Sequence, residues 1–437
     1  MSSRPSAIDD PRGAEGSAAA VPSDPLGWAA YLACSWTWCI GMFLPVLLIR
    51  DLGTTGFVLF VVPNVVGAAA MGWIIRSPEL SARLVSRHPG ACTAFSAITI
   101  IFHCYFFGWL TAGWLSIWPI WLAAMLGIMI APIVVSALTW PWQRGLAIAL
   151  LAATAITLLV SQILTDPEVR PPDGRAAAVL AASRLPEADA LWLAPVVIFG
   201  FALCPYLDIT FHRARRSLRG AQGPLAFSLG FGLFFLGLIL LTAGYAGYFL
   251  WGVQELRWLV FAHIFAQTAF TVGVHLREVL GATNGPGDGD RDYSGWGCVF
   301  LPAALLVLVF VPLALPLLST MPITGIAAVI GRPSLGEIGY RGFLAAYGLL
   351  FPAYVWLLMI PTRDGHSGTR GPQGVAKVRF WVLAMALAAP FYWMGFIERQ
   401  TVWVLPGLLI VLLARLALPR GNVTPANAER STAPRSA

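Results

Sequence analysis

The sequence predicts an all-α polytopic membrane protein, and composition, segment length and charge distribution each support that fold class. Charged residues make up only 11% of the 437 residues and hydrophobic residues 58%, so there are too few polar side chains to cover a water-soluble fold. Apolar segments of about 20 residues, the length that crosses a bilayer as a helix, recur along the chain. The net charge of +7 lies in tails and short loops, where it indicates membrane orientation rather than nucleic-acid binding.

About twelve transmembrane helices are predicted from these apolar segments. They lie at 28–49, 56–75, 91–113, 117–138, 146–164, 190–211, 225–250, 257–276, 297–318, 341–361, 378–396 and 400–418. If both termini are cytoplasmic, 20 of the 28 Lys and Arg residues face the cytoplasm, as the positive-inside rule requires. Because no organelle-targeting pattern is present, we expect a multi-pass protein of a plasma (inner) membrane, with the lipid bilayer as its partner.

The predicted helices fall into two sets of five and a final pair. We expect a disordered cytoplasmic tail at 1–26, a first five-helix unit at 27–164, and an extracytoplasmic loop at 165–189. A second five-helix unit is expected at 190–361, two additional helices at 362–418, and a second disordered cytoplasmic tail at 419–437.

A weak internal repeat relates the two five-helix units. Predicted helix 1 contains Gly41-Met-Phe-Leu-Pro45, and predicted helix 6 contains Gly200-Phe-Ala-Leu-Cys-Pro205. Predicted helices 5 and 10 open on Gln143-Arg-Gly-Leu-Ala147 and Tyr340-Arg-Gly-Phe-Leu-Ala345. Five helices separate the members of each pair, and because five is odd the second unit is expected to be inverted relative to the first.

Two inverted sets of five helices followed by two more resemble the LeuT-type fold, which is shared by amino acid, polyamine and organocation transporters and by sodium–solute symporters. The resemblance is architectural. It implies that helices 1 and 6 are unwound near Gly41 and Gly200, where free backbone groups hold a solute or an ion. Gly and Pro are common in membrane helices of every kind, so a polytopic bundle of another fold stays the alternative.

The resemblance and the polar residues within apolar segments together give a set of candidate site residues. The substrate-binding candidates are Gly41, Met42, Pro45, His103, Gly200, Phe201, Pro205 and His263. The ion-coupling candidates are Asp208, Thr268 and Thr271. The two threonines correspond to the helix 8 hydroxyl that, in the LeuT-type resemblance, helps to bind sodium beside helix 1.

Each polar candidate also has a purely structural interpretation. Asp208 could bind a cation, accept a coupled proton or gate the cytoplasmic exit, or it could simply pair with His212 or Arg215 on the same helix face. The His103 ring could serve proton coupling or bond a neighbouring helix. The threonine hydroxyls could bond backbone carbonyls, as they usually do in membrane helices.

The function that these observations favour is secondary transport of a small organic solute by alternating access, coupled to sodium or protons. Few charges lie at the predicted centre, which favours a zwitterionic or neutral solute. An integral-membrane enzyme, or a cofactor-binding or sensory protein, is the alternative, although no catalytic motif is present. The six cysteines form no CxxC pair, and the acidic loop 288–292 lacks the glycine and glutamate of a calcium loop. No cofactor or metal is therefore expected, apart from a candidate sodium ion.

Overall fold

The computed structural model describes residues 24–114, 118–164, 185–186, 188–251, 257–281, 335–361 and 371–418. Within these ranges the regular structure is entirely helical, and eight helices are long and apolar enough to cross a membrane. The predicted all-α membrane class is confirmed at that level, whereas the number of twelve spans stays a prediction. Predicted helix 9, the predicted C-terminal tail and nearly all of the predicted N-terminal tail and 165–189 loop lie outside the described residues.

The described residues form fifteen α-helices. They are α1 Pro25–Trp36, α2 Cys39–Ile74, α3 Pro78–Arg87, α4 Pro89–Trp114, α5 Trp118–Ala137, α6 Trp140–Leu164, α7 Asp189–Leu203, α8 Ile209–Ser217, α9 Gln222–Leu229, α10 Leu236–Trp251, α11 Arg257–Val279, α12 Leu335–Ala345, α13 Phe351–Tyr354, α14 Gly371–Tyr392 and α15 Val404–Ala414. Shorter 3₁₀ or π-helical segments extend several of them, at Cys204–Leu207, Gly230–Phe235, Ala346–Leu350, Val355–Met359, Trp393–Ile397, Thr401–Trp403 and Arg415–Ala417.

Two of the predicted helices are each divided in two. Predicted helix 1 consists of α1 and the first part of α2, separated at Thr37 and Trp38. Predicted helix 6 consists of α7 and α8, separated by the 3₁₀ turn and by Asp208, whose backbone is extended. Helix α2 then continues into predicted helix 2 across Gly53, which has φ 62° and ψ −149°. Only glycine adopts that conformation without strain, so Gly53 permits the change of direction.

The divided helices occupy the centre of the bundle. Helix α2 packs along α7, α1 contacts α8, and both α1 and α8 contact α11. Helix α4 packs on α11 and contacts α8 and α12. The helices predicted as numbers 1, 3, 6, 8 and 10 therefore enclose one region, in which every backbone group released by an interruption has protein around it.

The interruptions differ in position from the sequence prediction, which placed them near Gly41 and Gly200. Both glycines lie within regular helix. Pro45 has no N–H, so it cannot bond the Gly41 carbonyl as the residue four positions later normally does. The Thr242 hydroxyl donates to that carbonyl instead, at 3.0 Å, and this substitute bond lets α2 continue through the Gly41–Pro45 segment.

Candidate functional site

At the first interruption, between α1 and α2, nearby side chains bond the backbone groups that the end of α1 leaves free. The Thr37 N–H and hydroxyl both donate to the Ala33 carbonyl, at 3.1 and 2.8 Å. The Trp38 indole N–H donates to the Ser35 carbonyl at 2.7 Å. Because these side chains follow the carbonyls that they satisfy by three or four residues, the local sequence itself stabilises the end of α1.

The start of α2 is bonded by side chains from two other helices. His103 of α4 donates from Nδ1 to the Thr99 carbonyl at 2.7 Å, and its Nε2 accepts from the Cys39 N–H at 3.2 Å. Since a carbonyl can only accept, these two bonds define a neutral ring with the proton on Nδ1. The Tyr340 hydroxyl donates to the Cys39 carbonyl at 2.9 Å. Both backbone groups of Cys39 are therefore satisfied across the bundle.

The second interruption is built around Asp208, which is fully buried. Its Oδ1 accepts from the Thr210 N–H at 2.8 Å and from the Thr210 hydroxyl at 2.6 Å, so it caps the N-terminus of α8. Its Oδ2 has no hydrogen-bond partner among the residues that the structure describes. A carboxylate oxygen is thus left facing the protein interior at the centre of the bundle.

The imidazole of His275, on α11, lies beside that oxygen. His275 Nε2 lies 3.9 Å from Asp208 Oδ2, beyond hydrogen-bond distance, and it too has no hydrogen-bond partner within the described ranges. The other ring nitrogen is 2.9 Å from the Ser96 hydroxyl of α4. A carboxylate oxygen and an imidazole nitrogen, both without a hydrogen bond in the described ranges, therefore face one another.

The two interruptions are in direct contact. The Thr210 and Ser35 hydroxyl oxygens lie 3.3 Å apart, which brings the first turn of α8 against the last turn of α1. Aromatic rings reinforce the contact: Trp36 and Phe211 are 4.9 Å apart, and Trp38 and His275 are 6.0 Å apart between ring centroids. The sequence motifs that suggested two separate interruptions thus belong to one buried polar region.

Helix α11 carries three further buried polar side chains, two of which contact α1. The Thr271 hydroxyl donates to the Cys34 carbonyl at 3.0 Å, and the Gln267 amide nitrogen lies 4.0 Å from Cys34 Sγ. The Thr268 hydroxyl and the Gln267 Oε1 are fully buried and have no hydrogen-bond partner in the described part of the chain. Of the two threonines proposed for ion coupling, Thr271 bonds the interrupted helix and Thr268 keeps an unused oxygen.

A cavity of about 90 Å³ lies on the other face of α2, between α2, α7 and α12. Of the substrate-binding candidates, Gly200 and Phe201 line it. Gly200 allows α7 to lie close to the backbone at Tyr347, because a Cβ atom at position 200 would be only 3.0 Å from the Tyr347 carbonyl oxygen. The lining residues are Trp36, Trp38, Ile40, Leu44, Leu48, Asp51, Leu52, Leu185, Leu193, Val196, Val197, Gly200, Phe201, Cys204, Arg341, Leu344, Tyr347, Gly348, Gly395, Phe396, Arg399 and Thr401.

The remaining substrate-binding candidates are not gathered at this cavity. Met42 is fully buried within α2, and Pro205 is buried in the 3₁₀ turn before Asp208. His103 bonds the backbone at the first interruption, as described above. His263 of α11 faces α6, where its Nδ1 lies 3.5 Å from the Thr154 hydroxyl. The sequence could not separate these faces, because all of the segments are apolar around their whole circumference.

One end of the bundle is closed by a buried network of charged side chains, here called the Arg50 cluster, which consists of Arg50, Asp51, Glu337, Arg341 and Arg399. Arg50 makes two parallel bonds to Glu337, at 2.9 and 2.7 Å, and a third to Asp51 at 2.8 Å. Arg341 bonds Glu337 and Asp51, at 2.8 and 2.6 Å. Arg399 bonds Asp51 at 3.1 Å. The cluster ties α2 to α12 and to the connection between α14 and α15.

Arg213 organises the closure at the opposite end. Its guanidinium donates to Gln143 Oε1 at 2.9 Å and lies 3.5 Å from Glu278 Oε1. It also stacks over the Trp28 and Tyr31 rings, at 5.7 and 5.4 Å from their centroids. These contacts, here called the Arg213 cluster, join α1, α6, α8 and α11.

The basic residues after predicted helix 6 are more buried than their role as an orientation signal suggested. His212 and Arg215 are fully buried. Neither pairs with Asp208: His212 bonds Ser81 and the Tyr206 carbonyl, and Arg215 donates to backbone carbonyls of Ile75 and Leu218. The local pairing offered as the structural interpretation of Asp208 is therefore wrong. The extended backbone at Asp208 directs one carboxylate oxygen onto the start of α8 and leaves the other beside His275 of α11.

Several residues of the site were missed by the sequence analysis. His275, near the end of predicted helix 8, is fully buried against Asp208. Glu337 and Arg341 carried a usable signal, since an acid and a base four residues apart in an apolar segment form a pair on one helix face. Arg399 carried none, because its partner Asp51 is 348 residues away.

The described residues contain no group of three or more His, Cys, Asp or Glu side chains arranged to hold a metal ion. Comparison with protein-family models gave no match for this chain. No curated protein is significantly similar to it in sequence.

Proposed function

We propose that the chain is a secondary transporter that moves a small organic solute by alternating access, with sodium or proton coupling. The observation that carries this proposal is the contact between two interrupted helices, made through Ser35 and Thr210 at the centre of a membrane-type bundle. Non-helical backbone at membrane depth is tolerated where it is enclosed by protein or lines a cavity. Transporters place solute and ion sites at such points.

The arrangement of the interrupted helices favours a LeuT-type fold. The interruptions fall in the first helix of each predicted five-helix unit, and the helices predicted as numbers 3, 8 and 10 surround them. An enzyme or a sensor would need a reactive group or a bound cofactor to give these interruptions a purpose. A transporter needs them as they are, because half-helices can move relative to one another.

Two closures at opposite ends of the bundle would give such a protein its alternating access. Tyr31 of the Arg213 cluster lies in α1, before the first interruption, whereas Arg50 of the other cluster lies in α2, after it. Each closure consists of ion pairs and hydrogen bonds between elements that must separate for the centre to open. Opening one closure at a time would expose the centre to one side and then to the other.

The unpaired polar atoms supply two sites for a coupling ion. The buried oxygens of Gln267 and Thr268 suit sodium, because hard cations prefer oxygen ligands. Both of these oxygens belong to uncharged side chains. The Asp208 carboxylate and the His275 imidazole suit a proton. Either ion would bind beside the interruption of α1, where its binding could change the position of α1 relative to α2.

The experiment that tests this proposal is solute-induced charge movement and uptake in proteoliposomes of the full chain. The panel covers amino acids, organic acids and neutral solutes, under an imposed sodium or proton gradient. We expect gradient-dependent accumulation of at least one solute class. The double substitution Thr268→Val and Thr271→Val should abolish the sodium dependence, and unchanged sodium dependence would rule out the sodium assignment.

The control for this double variant is Thr157→Val. Thr157 is a half-buried α6 residue whose hydroxyl bonds the Ala153 carbonyl of its own helix, at 2.7 Å. The change of residue type is the same, but it is far from both interruptions. A similar loss of uptake in this control would show that threonine removal acts through the fold and not through an ion.

Cys204 provides a test that needs no known substrate. Its thiol is buried in the cavity wall and donates to the Tyr347 carbonyl at 3.2 Å. Alternating access predicts that Glu337→Gln, which weakens the Arg50 cluster, increases labelling of Cys204 by an impermeant thiol reagent from one side of the membrane. Cys204→Ser identifies the labelled residue. Equal labelling of Cys204 from both sides of the membrane would contradict a gated pathway. So would the absence of labelling in both the parent chain and the Glu337→Gln variant.

A further inference from the structure

The second part of α2, after Gly53, carries an exposed apolar stripe whose length matches a bilayer. The stripe consists of side chains at spacings of four, four and seven residues, which are Val58, Val62, Val66 and Trp73. The backbone is regular from Thr54 to Ile74, a stretch of about 30 Å at 1.5 Å per residue. Because the hydrocarbon core of a bilayer is also about 30 Å thick, the two ends of this stretch lie close to the two headgroup regions.

A surface groove lies beside each end of this stretch. The groove at the first end is lined by Thr54, Thr55, Val58, Leu59, Ala190, Leu191 and Ala194. The groove at the second end, here called the Trp73 groove, is lined by Trp73, Ile74, Arg76 and Pro224. Among the described residues that line either groove, only Arg76 is charged, and its side chain is exposed. The two grooves thus adjoin the same apolar stripe but differ in the charge of their lining.

The Trp73 groove is formed where α2 packs closely on α9. Gly72 permits this contact, because a Cβ atom at position 72 would be only 2.4 Å from Phe227 Cβ. The Trp73 indole N–H donates to Ser228 Oγ at 3.0 Å, which holds the ring beside α9, yet Trp73 is 61% exposed. A tryptophan with a bonded N–H and an exposed ring is suited to the boundary between hydrocarbon and headgroups.

The position of Arg76 is fixed through its backbone. Arg215 of α8 is fully buried, and its guanidinium donates to the carbonyls of Ile75 and Arg76. These bonds define the path of the chain directly after α2 ends. Since Arg76 follows Trp73 by three positions, its side chain begins at the headgroup end of the apolar stripe, where it lines the groove together with the Trp73 ring.

We propose that the Trp73 groove binds an anionic phospholipid of the adjoining leaflet. The lipid phosphate would accept hydrogen bonds from Arg76, the glycerol region would contact the Trp73 ring, and an acyl chain would extend along the apolar stripe. Arginine suits the phosphate because its planar fork makes paired hydrogen bonds to phosphate oxygens. A basic residue near the surface favours a lipid with a net negative charge over a zwitterionic one. This binding requires no transport activity.

The test is native mass spectrometry of the full chain in detergent, titrated with phosphatidylglycerol or with phosphatidylcholine of the same acyl chains. We expect the first phosphatidylglycerol to bind about five- to tenfold more tightly than the first phosphatidylcholine. Equal affinity of the two lipids would overturn the proposal. Inorganic phosphate in large excess should not displace phosphatidylglycerol, because it has no acyl chain to lie on the stripe. Displacement by phosphate would assign the groove to a soluble anion and would also overturn the proposal.

Substitutions of Arg76 assign the lipid preference to this groove. Arg76→Gln keeps the backbone carbonyl that Arg215 bonds, so the melting temperature should change little, while the preference for phosphatidylglycerol should fall to within about twofold. Arg76→Glu should reverse the preference.

The matched control is Arg83→Gln, which removes the same charge. Arg83 is an exposed residue of α3 and does not line the groove, so this variant should keep the preference of the parent chain. An equal loss of preference in Arg76→Gln and Arg83→Gln would show a general attraction of anionic lipid to basic side chains and refute a site in the groove. An unchanged preference in Arg76→Gln would place the lipid elsewhere and refute it as well.

Discussion

The two helix interruptions are neighbours with the same general form, yet they differ in how completely their polar groups are used. At the first, the Cys39 backbone is bonded on both sides, by His103 and by Tyr340. At the second, one carboxylate oxygen of Asp208 caps α8 and the other has no hydrogen bond beside His275. An interruption whose polar groups are all bonded stabilises the fold. A buried polar group without a bond lowers the stability of the fold, so its presence points to a role in function.

This difference changes the roles that the sequence suggested for two residues. His103 was a candidate for proton coupling, but both of its ring nitrogens are already bonded to backbone groups. Asp208 was as readily explained by a local ion pair, but that pair is not formed. We therefore assign structural support to the first interruption and chemistry to the second, and three predictions test that division.

The largest effect is expected from Asp208→Asn. The amide keeps an oxygen that can accept from the Thr210 N–H, so α8 stays capped and the melting temperature should change little. It removes the titratable carboxylate that faces His275, so gradient-driven accumulation should be lost. Uptake in proteoliposomes and thermal unfolding of the same preparation measure the two quantities together.

The control for this substitution is Asp24→Asn. Asp24 also caps a helix, by accepting from the Gly27 N–H at 2.9 Å, but it lies at the half-exposed start of α1. The Asp24→Asn variant should keep the cap of α1, and its solute uptake should equal that of the parent chain. If Asp208→Asn unfolds the protein while transport survives in the folded fraction, the division between the two interruptions is reversed.

The sequence predicted the fold class and the helices that are interrupted, because both depend on local signals. Length and hydropathy define membrane helices, and the Gly–Pro pairs of predicted helices 1 and 6 mark helices with weakened backbone bonding. The positions of the interruptions depend instead on distant partners. Thr242 keeps α2 regular at Gly41, and His103 supports the opening at Cys39. Neither contact leaves a trace in the segment that it controls.

The same limit applies to the candidate site. Helix α11 was recognised as polar, and Thr271 bonds the Cys34 carbonyl of α1, as its structural interpretation expected, whereas sodium binding by the threonines stays a prediction. The cavity was not found, since α2 is apolar around its circumference and its composition does not tell which face is lined. The charge at its end arises from Arg341 and Arg399, which meet Asp51 only in the folded chain.

The second prediction concerns pH and the attachment of α8. His212 lies beyond the membrane-spanning part of predicted helix 6, and its Nδ1 is 2.8 Å from the Ser81 hydroxyl of α3. Burial lowers the pKa of His212 from 6.5 to about 4. Above pH 6.5 the ring is neutral in both states, so its contribution does not vary. As the pH falls from 6.5 to 4, only the unfolded chain takes up the proton, and up to about 3 kcal/mol of stability is lost.

Unfolding in denaturant at pH 7.0 and pH 5.0 measures this effect, with His212→Gln as the comparison. The glutamine amide can still bond Ser81 but does not titrate, so the variant should lose less stability between the two pH values than the parent chain. A loss of equal size in both proteins would assign the acid sensitivity to other groups and leave the attachment of α8 independent of pH.

The smallest effect separates a bonded hydroxyl at the first interruption from an unbonded one elsewhere. Tyr340 and Tyr392 are both almost completely buried. The Tyr340 hydroxyl donates to the Cys39 carbonyl, whereas the Tyr392 hydroxyl has no hydrogen-bond partner within the described ranges. Tyr340→Phe should therefore lower the free energy of unfolding by about 1 kcal/mol, because it removes a hydrogen bond to a buried carbonyl at the interruption. Tyr392→Phe removes a buried hydroxyl without breaking such a bond, so stability should be unchanged or slightly raised. Equal losses in the two variants would show that the bond to Cys39 contributes nothing beyond the hydroxyl itself. The first interruption would then need another explanation for its stability, with His103 as the remaining support of the Cys39 backbone.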